Sequence, residues 1–160
     1  LTLDAASVAA VLRGLLHAGH PTRAVELLAL ALGPFCVRPT PALFNALLAR
    51  LPLHLSSASA SPLPPLLPGH QGFVLPADPH AQLPAVLRAM RMVRVVPDRR
   101  SLEIVARACC RVNNAHALCE ALRFFASEWR VLPDERCWRV IGACPEVHRA
   151  ARAVFEREIT

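Results

Sequence analysis

The sequence predicts an all-α chain, arranged as a helical-repeat solenoid of about four antiparallel helix pairs. Three observations point there. Apolar residues recur at helical spacing along most of the chain. Glycines, prolines and paired asparagines interrupt that pattern at short intervals. Three boundary tripeptides, Arg38-Pro39-Thr40, Val96-Pro97-Asp98 and Leu132-Pro133-Asp134, each follow one predicted helix and precede another.

The first helix carries Val8, Val11, Leu12 and Leu15 at i, i+3, i+4 and i+7, which places them on one face. Asp4 or Ser7 is expected to cap it. His17-Ala18-Gly19-His20-Pro21 breaks it, with Gly19 suited to a left-handed closing position and Pro21 to a first helical turn. A second helix, from about Thr22 to Leu32, is expected to bury Ala24, Val25, Leu27, Leu28 and Ala31 before Gly33-Pro34 ends it. The third has the apolar face Leu43, Phe44, Leu47 and Leu48.

Residues 52–79 differ in kind, with seven prolines and four serines in 28 positions. Proline lacks the amide donor and serine competes for backbone bonds, so an inserted loop is expected, apolar enough to pack on a neighbour. Helical pattern resumes at about Ala81 through Leu83, Val86, Leu87 and Met90 to Val93, and Pro97-Asp98 marks its stop. The next helix turns Leu102, Val105, Ala106 and Cys109 inward. Asn113-Asn114 supplies a turn, and a helix runs from about His116 to Trp129. A short helix around Cys137 to Ala143, a turn at Pro145 and a last helix from about Glu146 to Glu158 complete the chain.

The boundaries divide the chain into units 5–40, 41–98 with the inserted loop, 99–134 and an unfinished 135–160. The first and third are both 36 residues long, and the second falls near that length once most of the loop is set aside. A period of this size with two helices per unit is the mark of a helical solenoid.

Composition narrows the function classes. Apolar residues are 54% of the 160, enough for a core and too many for a wholly disordered chain. All 18 basic residues are arginine, against 12 acids. Residues 81–160 hold fourteen of those arginines and nine of the acids, so the second half is the more basic and a polyanion is its natural partner. The six cysteines form no C-x-x-C pair and read as small buried hydrophobes of a reducing compartment. No apolar run reaches the ~18 residues that span a bilayer, so no membrane partner is expected.

No catalytic chemistry is legible. The six glycines form no phosphate loop, and the scattered acids offer no pair for acid–base work. His17 with His20, and His116 with Cys119, are three apart but lack further ligands at recognisable spacing, so no metal and no cofactor are expected. Cys109-Cys110 reads as packing, and Trp129 and Trp138 as staples between adjacent units, or as surfaces on which bases stack.

Certain residues carry a resemblance to a known family. Phe44-Asn45-Ala46-Leu47-Leu48 resembles the opening of a pentatricopeptide repeat. Arg13-Gly14-Leu15-Leu16-His17-Ala18-Gly19, followed by Ala24, resembles its approach to the turn, and Met90 before Pro97-Asp98 its close. Together these cover nearly the whole chain, although no single unit carries every hallmark. Tetratricopeptide repeats are the nearest competitor and lack the closing proline-aspartate.

The resemblance implies a right-handed array with its first helices lining a concave surface. Arg100, Glu103, Arg107 and Arg111 form one stripe opposite the buried face, and Arg13, Arg136 and Arg139 fall at equivalent places. Such a row is suited to RNA phosphates. The family sets base choice by two residues per unit, and Asn45 with Asp98 resembles its uridine-preferring pair. Ala9 with Thr40 and Glu103 with Asp134 match no readable pair. A degenerate code with an apolar insertion implies an architectural member of a ribonucleoprotein, such as the mitochondrial ribosome, that holds rRNA and neighbouring proteins. The expected location is mitochondrial, with the plastid as alternative. A protein–protein scaffold without RNA is the competing expectation.

Overall fold

The computed structural model describes residues 4–50 and 79–159; the expected loop over 52–79 lies outside them, apart from Pro79. The described residues form eight α-helices and no strand. They fall into two compact units, Leu1–Val95 and Val96–Thr160. None of the described helices is long and apolar enough to cross a membrane.

In the first unit, α1 (Ala5–His17) packs against α2 (Pro21–Leu32) and α3 (Pro41–Leu48), and α3 packs against α4 (Pro79–Met92). Asp4 caps α1 by accepting the Ser7 N–H at 2.7 Å. The helix buries Val8, Ala9, Leu12 and Leu16, while Val11 is 53% exposed and Leu15 half-buried. The expected face Val8/Val11/Leu12/Leu15 is thus displaced to the row Val8, Leu12, Leu16, with Ala9 beside it. So many positions of α1 are apolar that its partners decide which row goes inward. Elsewhere most of the expected core is buried, Ala24, Val25, Leu28 and Ala31 in α2 and Leu43, Phe44, Leu47 and Leu48 in α3, but Leu27, expected inside, is only half-buried because it lies at the edge of the α2 buried face. Pro79 opens α4 two residues ahead of the expected start, and Pro84 lies within the helix.

In the second unit, α5 (Arg99–Arg111) packs against α6 (Ala115–Trp129) and α7 (Glu135–Gly142), and α8 (Pro145–Val154) packs against α6 and α7. A π-helical turn, Phe155–Ile159, continues α8. Leu102, Val105, Ala106 and Cys109 of α5 are buried as expected, together with Leu118, Leu122 and Phe125 of α6, Ile141 of α7 and Val147 of α8.

The backbone punctuation recurs at matching places. Gly19 follows Asp4 by fifteen residues and Asn113 follows Asp98 by fifteen; both adopt positive φ, at 77° and 50°. In each case the next amide donates back five residues, His20 to Leu15 and Asn114 to Cys109, both at 2.9 Å, which closes the helix in a Schellman turn. A second left-handed position precedes three of the boundaries. Cys36, Arg94 and Arg130, with φ of 48°, 56° and 54°, stand four residues before Thr40, Asp98 and Asp134. Each is followed by a valine whose N–H returns to the preceding helix: Val37 to Ala31, Val95 to Met90 and Val131 to Phe125.

Side chains also join elements far apart in sequence. Arg50 donates to His17 Nδ1 at 2.6 Å, Asn113 to Glu146 at 2.7 Å, and Arg123 to Glu158 through Nε at 2.6 Å and Nη2 at 2.9 Å. These partners are 33, 33 and 35 residues apart. The Arg123 hydrogen bonds hold the Glu158 carboxyl below the usual glutamate range. A lowered folded-state pKa contributes stability above the ordinary glutamate value and loses it as pH falls through the lowered one. Wild type is therefore expected to melt above Glu158→Gln at neutral pH, and the two melting curves to converge in acid.

Candidate nucleic-acid interface

The basic face is built from the helix starts. Asp98 Oδ1 accepts the Ser101 N–H at 2.8 Å, and Ser101 Oγ accepts the Asp98 N–H at 3.3 Å, a reciprocal capping box. Asp134 Oδ1 accepts the Cys137 N–H at 2.9 Å. The residues expected to mark stops therefore also start α5 and α7, because a carboxylate satisfies amides that a helix start leaves bare. Asp98→Ala is expected to cost about 1 kcal/mol, measured as a lowered urea midpoint.

With its buried row turned inward, α5 exposes Arg100, Arg107 and Arg111 on the far side. Its neighbour α7 exposes Arg136 and Arg139. Glu103 is half-buried. Burial, then Asp134, then Glu103 push the Cys137 thiol up to about 12. Arg107 meets Glu103 at 2.7 Å and Arg139 meets Glu135 at 3.2 Å, both one turn apart on their own helices. Exposed pairs of this kind contribute only about 0.3–0.5 kcal/mol, so a phosphate can displace them. Arg100, Arg111 and Arg136 make no ion pair among the described residues.

Charge is segregated between the helices of this unit. Helices α5 and α7 hold six arginines against two glutamates. Helices α6 and α8, the latter with its terminal turn, hold four arginines against five glutamates.

The remaining expected site residues are placed differently. Arg13 is exposed on α1, nine residues after the Asp4 cap, as Arg107 is nine after Asp98. Asn45 is half-buried on α3, and its Oδ1 is closed to solvent without a hydrogen-bond partner. Thr40 Oγ1 is in the same state, although Thr40 occupies the N-cap of α3. Ala9 is buried, which leaves α1 no polar group at that register. Asp98 spends one carboxylate oxygen on its cap.

The tryptophan rings have short-range partners. Trp129 lies edge-on to Phe124 and Phe125 of its own helix, with centroids 5.1 and 5.3 Å away. Trp138 meets His148 and Phe155, and the Arg152 guanidinium lies 5.0 Å from its ring centre. The Trp138 contacts tie α7 to the helix that follows it and those of Trp129 stay within α6, so neither ring makes the expected staple between adjacent units. The sequence reading missed the Arg50–His17 and Arg123–Glu158 links. Their only signal was a separation near the repeat length, which is visible once a period has been assigned.

Among the described residues no group of three or more histidines, cysteines or acids is placed to hold a metal ion. Compared with known proteins, the chain matches no family model and no curated protein.

Proposed function

We propose that this chain is a non-catalytic RNA-associated repeat protein of an organelle, resembling the pentatricopeptide repeat family. In this reading it is a structural or assembly component of a ribonucleoprotein such as the mitochondrial ribosome. The observation that carries it is the concentration of net positive charge on α5 and α7, six arginines against two glutamates, beside α6 and α8, where arginines and glutamates nearly balance. A surface that needs only solubility accepts either sign of charge on any helix, whereas a phosphate backbone needs one sign along one face. The support concerns backbone contact more than base choice, because Asn45 offers its acceptor no open path and Asp98 is engaged at its helix start.

The array reading is that α1/α2, α3/α4, α5/α6 and α7/α8 are four successive pairs of a right-handed solenoid. Three recurrences support it: turns closing fifteen residues after a cap, left-handed residues four before a boundary, and side-chain links near the repeat length. In such an array each module contacts only its neighbours. The mitochondrial location, with the plastid as alternative, rests on the resemblance.

Val96 and Leu132 favour a second reading. They are 64% and 45% exposed, each two residues before a cap, and exposed apolar groups beside arginines suit a protein partner. This is the tetratricopeptide-like scaffold. Ultraviolet crosslinking of the native protein separates the two: RNA attached to peptides of α5 or α7 is expected. Crosslinks from those helices to protein alone would establish the scaffold instead. Sedimentation with ribosomal particles that ribonuclease abolishes is the expected organellar signature.

A further inference from the structure

Exposure at one helical register separates α1 from α3, α5 and α7. In those three helices the third and seventh residues past the N-cap are closed to solvent: Leu43 and Leu47 after Thr40, Ser101 and Val105 after Asp98, Cys137 and Ile141 after Asp134. In α1 the same places past Asp4 hold Ser7 and Val11, and both are exposed. Leu15, one turn further on, is half-buried, whereas Cys109, at the matching place in α5, is fully buried. The likeness to α5 extends to chemistry, since Asp4 and Asp98 each accept the N–H of the serine three residues on. A row built to one pattern is thus covered in α5 and bare in α1.

The surroundings of the row narrow what can cover it. Ala10 and Gly14 form the adjacent stripe, both exposed, and a Cβ added at Gly14 would meet nothing within 4 Å. Within α1 only Arg13 and His17 can carry charge. At about 100° per residue they stand about 160° and 120° around the helix from Val11. The face is therefore neutral, apolar and low in relief. A charged partner finds nothing to pair with there, whereas a second copy of the same face meets no like charge. Small side chains also let two helix axes approach closely.

We propose that Ser7, Ala10, Val11, Gly14 and Leu15 form a two-fold contact with the same face of a second copy, α1 against α1, with Val11 meeting its symmetry mate near the axis. A contact of this kind joins one patch to itself, so a neutral apolar face is enough. One helix from each copy buries less area than a standard interface, so the dimer is weak, with a Kd on the order of 10 μM.

The test is sedimentation equilibrium of the nuclease-treated full chain. Wild type is expected to pass from monomer to dimer as its concentration rises through the order of 10 μM. Val11→Glu and Val11→Arg, each alone, should weaken association at least about tenfold, because like charges then face each other across the axis. Their equimolar mixture should restore the dimer through a Glu–Arg pair, which also shows that both variants are folded; circular dichroism checks each one separately. Phe35→Glu and Val96→Glu, at exposed apolar positions elsewhere, should leave the dimer intact. A wild type that stays monomeric through about 100 μM overturns the proposal and leaves the face to a different protein. So does a dimer that nuclease removes, that Phe35→Glu or Val96→Glu abolishes, or that the mixture fails to restore.

Discussion

Phe125→Ala is expected to destabilise the second unit by about 3–5 kcal/mol, the largest stability effect of any single truncation named here. Phe125 is fully buried, on a helix that packs against both α5 and α8. Its ring packs against Trp129, and its carbonyl accepts the Val131 amide that closes the helix end. Truncation removes buried apolar area and leaves a cavity in the core of the unit. Only part of it can collapse, since the carbonyl contact fixes the backbone. Val11→Ala, at a position 53% exposed, is the contrasting control and should fall within about 0.5 kcal/mol of wild type. Urea titrations followed by circular dichroism measure both. A Phe125→Ala midpoint equal to that of Val11→Ala would mean that the α6 core is not packed as described.

The second large effect is on RNA. Replacing Arg100, Arg107, Arg136 and Arg139 together with alanine is expected to flatten the salt dependence of single-stranded RNA binding. Each phosphate neutralised adds about 0.7 to the slope of log affinity against log salt, so four lost contacts remove about 3. Between 50 and 200 mM salt the wild type should then lose about 50-fold more affinity than the variant. The weak pairs to Glu103 and Glu135 cost little to break, so the variant should keep its fold. Equal slopes would place any RNA contact elsewhere. With lost retention of a protein partner as well, they would favour the scaffold.

The two effects depend on different parts of the sequence. Phe125 matters because it is wholly buried in a helix that packs against two others, a fact of tertiary packing. The arginines matter through their register from Asp98 and Asp134, which the chain states locally. Arg100 and Arg136 each stand two residues past a cap, so locating the caps locates the arginines.

What the sequence alone determined was local. It placed the helices, the left-handed Gly19, Asp4 as one of two candidate caps, Pro21 at a helix start and the buried row of α5. These depend on backbone sterics and on residues within a turn or two of one another. Tertiary structure decided what needs a partner. The inward face of α1 became Ala9 and Leu16 instead of Val11 and Leu15, because α2 and α3 choose among several apolar rows. Trp138 turned to α8, Arg50 found His17, and Asn113 met Cys144 and Glu146. Period and composition encode none of these, since each contact energy depends on which helix lies alongside.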